Sequence, residues 1–136
     1  MRNNTKTNYE KLASRSSATV LIVDRDTIQV ESLCRGMFLY GHECVRISSI
    51  SEAIDFLNRP DAPVVDLLLT DTTTPGSEGF ELIRHARVLH PDLPIIAVCG
   101  LNSTQEMEMS EQSGITVLRR PFNPERLDEA IRDLVA

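Results

Sequence analysis

Five short apolar runs alternate with stretches whose apolar residues recur at helical spacing, and that alternation leaves the chain few folds to choose from. The runs cover residues 19–23, 43–47, 64–69, 94–99 and 115–118. Links this short between strands force right-handed crossovers and a mostly parallel sheet. The reading is therefore α/β, a doubly wound five-stranded parallel sheet with helices on both faces. At 136 residues there is room for one domain with a real core.

The helices can be placed one by one. Val30, Leu33, Cys34, Met37 and Phe38 keep the i, i+3, i+4, i+7, i+8 spacing of a helix buried along one side, and Gly41 is a natural stop after them. Run 43–47 alternates Val45 and Ile47 with Glu43 and Arg46, as an edge strand does. Ser49 and Glu52 form a capping box that opens a short helix over Ala53, Ile54 and Leu57, and Pro60 ends it. A helix over about 77–89 carries Leu82, Ile83, Ala86 and Leu89 on its buried stripe. His85 and His90 fall off that stripe and read as solvated surface. Ser103 with Glu106 is a second capping box, yet across 104–113 only Met107 and Met109 are apolar, so this helix is expected to be the least firmly packed. Asn123 is an N-cap with Pro124 at the first helical position, and Leu127, Ala130, Ile131, Leu134 and Val135 make the clearest stripe of all.

Charge divides unevenly. Residues 1–17 hold Arg2, Lys6, Lys11 and Arg15 against Glu10, a net of +3, which leaves −9 for residues 18–136 out of the total of −6. We read 1–17 as a flexible polar arm without periodicity and 18–136 as the folded domain. An acidic domain repels phosphate, which argues against direct nucleic-acid binding and for attraction to basic protein surfaces. No apolar run approaches the roughly 20 residues of a membrane span, and the polar opening lacks the apolar core of a secretory signal, so a cytoplasmic protein without membrane contact is expected. Cys34, Cys44 and Cys99 are odd in number, are not in metal-ligand spacing, and read as buried thiols.

Ligands of open α/β sheets bind in the crevice beyond the carboxyl ends of the strands. Four of the runs end there in groups able to do chemistry: Asp24, Asp71, Cys99 and Arg120. Asp71 stands at the end of the most apolar run, and Pro75, Gly76 and Gly79 supply a turn before the next helical pattern.

On these residues, 18–136 resembles the receiver domain of two-component response regulators. The likeness rests on Val23-Asp24 at a strand end, on Leu69-Thr70-Asp71 followed by Thr74-Pro75 and Gly79 at the family's D-x-x-M-P-x-x-x-G spacing, and on Arg120-Pro121-Phe122 where the family reads K-P-F. The resemblance implies a flavodoxin-like sheet of order 2-1-3-4-5. It also implies a signalling module, not an enzyme, in which Asp71 accepts a phosphoryl group from a sensor histidine kinase or a phosphotransfer protein and signals by conformational change to an effector domain or output protein. The implied Mg²⁺ ligands are Asp24, Asp71 and the backbone carbonyl of Thr73. Several positions depart from the family. Arg25 replaces the second acidic residue, so weak Mg²⁺ binding is expected, with Arg25 filling part of the metal's space and charge. Cys99 stands at the Ser/Thr position, as a small filler rather than a redox thiol. Arg120 stands at the Lys position, and Val117 replaces the aromatic switch residue. The alternative is a degenerate receiver that docks partners without ever being phosphorylated, and Arg25 is the feature that discriminates. A small enzyme or flavin binder on this fold is disfavoured by the lack of a phosphate-cradling glycine loop.

Overall fold

The computed structural model describes residues 17–72, 79–100 and 114–135. Along the chain these form β1 (Thr19–Val23), α1 (Thr27–Leu39), β2 (Glu43–Ile47), α2 (Ile50–Asn58), β3 (Leu67–Asp71), α3 (Gly79–Leu89), β4 (Ile95–Cys99), β5 (Ile115–Arg119) and α4 (Pro124–Val135). The helix expected over 104–113, with its capping box, Met107 and Met109, lies outside the described residues, as do residues 1–16 of the arm and 73–78 of the turn.

The strands form one parallel sheet in the order β2-β1-β3-β4-β5. Strand side chains point alternately to the two faces, and the core divides accordingly. Val20, Ile22, Leu67, Leu69, Ile96 and Val98 meet Val30, Cys34 and Met37 of α1 and Leu127, Ala130 and Ile131 of α4. On the other face Leu21, Leu68, Ile95 and Ala97 meet Ala53, Phe56 and Leu57 of α2 and Leu82, Ile83 and Ala86 of α3. Every residue of β3 and β4 is buried, which is why those runs are apolar without alternation. The caps act as their residue types imply. Ser49 accepts a hydrogen bond from the Glu52 N–H at 3.1 Å, Asn123 accepts from the Arg126 N–H at 2.8 Å, and Gly41 takes φ 87° just after α1.

Three expectations need correction. The central strand begins at Leu67, not at residue 64. Val64 is 84% exposed, and the chain joins β1 only at Asp66, whose N–H donates to the Thr19 carbonyl and whose carboxylate accepts from the Thr19 N–H, each at 2.8 Å. Phe38 is no part of the buried α1 stripe: Val30, Cys34 and Met37 are buried, while Phe38 is 71% and Leu39 62% exposed, at the rim of a groove beside Glu43, Cys44 and Arg46 of β2. His90 is not simply solvated, since its Nε2 reaches the Leu57 carbonyl oxygen at 2.8 Å and ties the end of α3 to the end of α2.

Candidate functional site

Strand register builds the site. Val23 lies beside Thr70, Asp71 beside Val98, and Cys99 beside Arg119, so the carboxyl ends of β1, β3, β4 and β5 come level. Asp24, Asp71, Cys99 and Arg120 therefore meet at one edge of the sheet. Asp71 is 5% and Asp24 7% exposed, while the Cys99 side chain is fully buried. Arg120 forms an ion pair with Asp71 through Nη2 and Oδ2. Its backbone is fixed as well, the Arg120 N–H donating to the Cys99 carbonyl at 2.9 Å.

Asp24 is held by neighbours that its own strand does not supply. The Asp26 N–H donates to its Oδ1 at 3.0 Å, and the Gln29 side-chain amide donates to its Oδ2 at 3.1 Å. Asp26 in turn caps α1, its carboxylate accepting from the Gln29 N–H at 3.1 Å. Burial pushes the Asp24 carboxyl above the ordinary carboxylate range, and the nearby charges of Asp71 and Asp26 push the same way. The Asp26 N–H and Arg120 pull against them without cancelling the rise. Two carboxylates crowded into one buried crevice, one of them with a raised pKa, are a site short of positive charge.

Arg25 does not fill that shortage. It is exposed and forms no ion pair among the described residues, and the cation on Asp71 is Arg120. Val117 is half-buried beside Ala97.

Two further residues shape the crevice. Sequence reasoning passes over Gln29, because a glutamine at a helix start carries no spacing signal. Gly79 reads in the sequence as turn chemistry and as a motif position, and a Cβ built there would stand 2.3 Å from the Asp71 carbonyl oxygen and 3.1 Å from the Thr72 Cα. Only glycine lets α3 start this close to the end of β3. The Thr72 N–H extends the sheet pairing past Asp71 by donating to the Val98 carbonyl at 3.0 Å.

Mg²⁺ prefers hard oxygen donors, and the two carboxylates of this crevice fit that preference. Among the described residues no group of three or more His, Cys, Asp or Glu could hold a metal, and Thr73 lies outside the described residues.

Comparison with known proteins agrees with this geometry. Residues 20–132 match the response regulator receiver domain family. The response regulator protein FleR of Pseudomonas aeruginosa is 30% identical over 121 residues, covering 88% of this chain and 24% of FleR. The response regulator MprA of a Mycobacterium species is 32% identical over 119 residues, covering 85% of this chain and 50% of MprA. The chain thus spans from about a quarter to half the length of these relatives. A CheY-like response regulator receiver domain protein from Methanospirillum hungatei superposes with a TM-score of 0.74 at 28% identity, over 88% of this chain and 94% of that one. With the sheet order, the acidic crevice and the family match in agreement, this chain belongs to the response regulator receiver domains.

Proposed function

We propose that Asp71 is the phosphoacceptor and that the domain works as a phosphorylation switch in a two-component system. The observation that carries this reading is the Arg120–Asp71 ion pair at the end of the central strand. It holds a buried carboxylate beside a guanidinium whose fork suits phosphoryl oxygens. In the transfer an Asp71 carboxylate oxygen forms the new bond to phosphorus, while the phosphorus–nitrogen bond of a donor phosphohistidine breaks and leaves its electron pair on the imidazole. Arg120 screens the approach of two anions and grips the oxygens of the incoming group. Gln29 and the Asp26 N–H keep Asp24 turned into the crevice.

A bound Mg²⁺, held by Asp24, Asp71 and the Thr73 carbonyl, would supply the charge neutralisation that this crevice lacks. Arg25 contributes no oxygen donor, so affinity for the ion should be weak. The donor would be a sensor histidine kinase or a phosphotransfer protein, and the signal would pass to an effector domain or an output protein.

Incubation with a small phosphodonor such as acetyl phosphate, with Mg²⁺, tests the assignment by intact mass. Wild type should gain one phosphoryl group and Asp71→Asn none. A gain that survives the substitution takes the role away from Asp71.

A further inference from the structure

Gln29 is the third residue of α1, the position from which a glutamine ordinarily turns back to accept the N–H of the capping residue. In this chain the Asp26 N–H goes to Asp24 Oδ1 at 3.0 Å instead, and the Gln29 side chain reaches past the cap into the crevice, its amide nitrogen 3.1 Å from Asp24 Oδ2. The Gln29 backbone N–H still donates to the Asp26 carboxylate at 3.1 Å, so α1 keeps its cap without the side chain. One oxygen of Asp24 is thus committed to the backbone, and Gln29 is the side chain that faces the other. Among the described residues no donor holds the Gln29 amide oxygen.

A half-turn of the amide exchanges its nitrogen and its oxygen at nearly the same point. The oxygen would then stand beside Asp24 Oδ2 where the nitrogen now stands, at 3.1 Å. Neighbouring oxygens in the octahedral shell of Mg²⁺, each about 2.0–2.1 Å from the ion, lie about 2.9 Å apart, so the spacing suits two donors to one cation. Two bare oxygens at this distance repel, whereas an N–H attracts the carboxylate. An empty crevice therefore turns the nitrogen inward, and a cation turns the oxygen inward.

We propose that Gln29 is a ligand of the divalent cation, its side-chain oxygen turning in beside Asp24 as a neutral substitute for the carboxylate that Arg25 does not supply. This rests on the crevice at Asp24 and Asp71 being the cation site of the phosphorylation switch. Arg25 is exposed and precedes the helix, while Gln29 lies one helical turn further on with its side chain already at Asp24. A carboxamide carries no net charge, so it completes the oxygen set without restoring the full affinity of an acid.

Titration of the full chain with magnesium chloride, followed by calorimetry and by the side-chain amide NMR signal of Gln29, tests the assignment. Gln29→Leu, similar in size but without the oxygen, should bind Mg²⁺ about fivefold more weakly than wild type, and Gln29→Glu about tenfold more tightly. The Gln29 amide signal of wild type should move in step with saturation as its bond to Asp24 is given up. A residue that only braces Asp24 predicts the opposite sign for Gln29→Glu, because a carboxylate there repels Asp24 and cannot donate to it. Should Gln29→Glu fail to fold without metal, Gln29→Leu and the wild-type amide signal decide. Equal affinity in wild type and Gln29→Leu, weaker binding by folded Gln29→Glu, or an amide signal that stays in place would each overturn the proposal. Asp71→Asn separates the two levels of failure: if it loses Mg²⁺ while Gln29→Leu binds as wild type does, the crevice stands as the cation site and Gln29 alone is removed from it, whereas a wild type that binds no Mg²⁺ overturns both.

Discussion

Asp24 carries a charge that its surroundings oppose. Its folded-state carboxyl lies above the ordinary value because of burial and the charge of Asp71. The sign follows from linkage. A raised carboxyl contributes stability that is fully present below the unfolded value, about 3.9, and is lost as pH rises through the folded value. Replacing Asp24 by Asn removes the charge and keeps an oxygen to accept from the Asp26 N–H. Asp24→Asn should therefore melt higher than wild type at neutral pH, with the gap closing as pH falls through the folded value and gone below about 4. A gap that widens toward acid in a thermal-melt series would contradict the assigned cause. Arg25 is the other informative residue here. It faces solvent one position beyond Asp24, and exchanging it for an acid adds the missing oxygen donor without disturbing a described ion pair. Arg25→Asp should bind Mg²⁺ tighter by about tenfold or more in calorimetric titration, a difference of about 1.4 kcal/mol. Equal affinities would mean that the weakness has another origin.

Among the elements, α4 does more than cover one face of the sheet. Its stripe Leu127, Ala130 and Ile131 was legible from spacing, but Asp128 on the same buried side was not. Asp128 is 2% exposed and accepts from His42 Nε2 at 2.7 Å, and His42 Nδ1 accepts from the Ala18 N–H at 3.0 Å. The two side chains are 86 residues apart, and no local pattern announces a contact between a residue just after α1 and one in the last helix. Arg132 Nη2 lies 2.7 Å from Asp128 Oδ2 as an ion pair, although the Oδ2 atom makes no aligned hydrogen bond. The network ties the start of β1, the α1–β2 turn and α4 together. Removing one member leaves buried partners unmatched. Asp128→Ala should cost about 3 kcal/mol in denaturant unfolding, whereas a purely exposed ion pair would cost under about 1. A loss at that lower level would show that the network is not a clamp. The same limit on sequence reasoning explains Phe38, whose spacing matches the α1 stripe. Periodicity reports which side of a helix is apolar but not how far along the helix that side stays covered.

Over the whole molecule, the parallel doubly wound sheet was legible because short apolar runs alternate with helical stripes over links too short for anything but right-handed crossovers. The strands end at Val23, Ile47, Asp71, Cys99 and Arg119, and the first and the last three of these lead into the crevice. The register then brings Asp24, Asp71 and Arg120 together at or just past the strand ends. What could not be read was which cation balances Asp71. Arg25 and Arg120 were both candidates in the sequence, and only the direction each takes from its strand end separates them: Arg25 goes to solvent and Arg120 to Asp71. The central claim is that these strand ends form one phosphoryl-receiving crevice centred on Asp71. Its most direct test is the backbone amide NMR spectrum with beryllium fluoride, a phosphoryl mimic, and Mg²⁺. The account predicts shifts in wild type concentrated at Asp24, Asp71, Thr72, Cys99 and Arg120, and none in Asp71→Asn; an unchanged wild-type spectrum, or the same shifts in the variant, would contradict it.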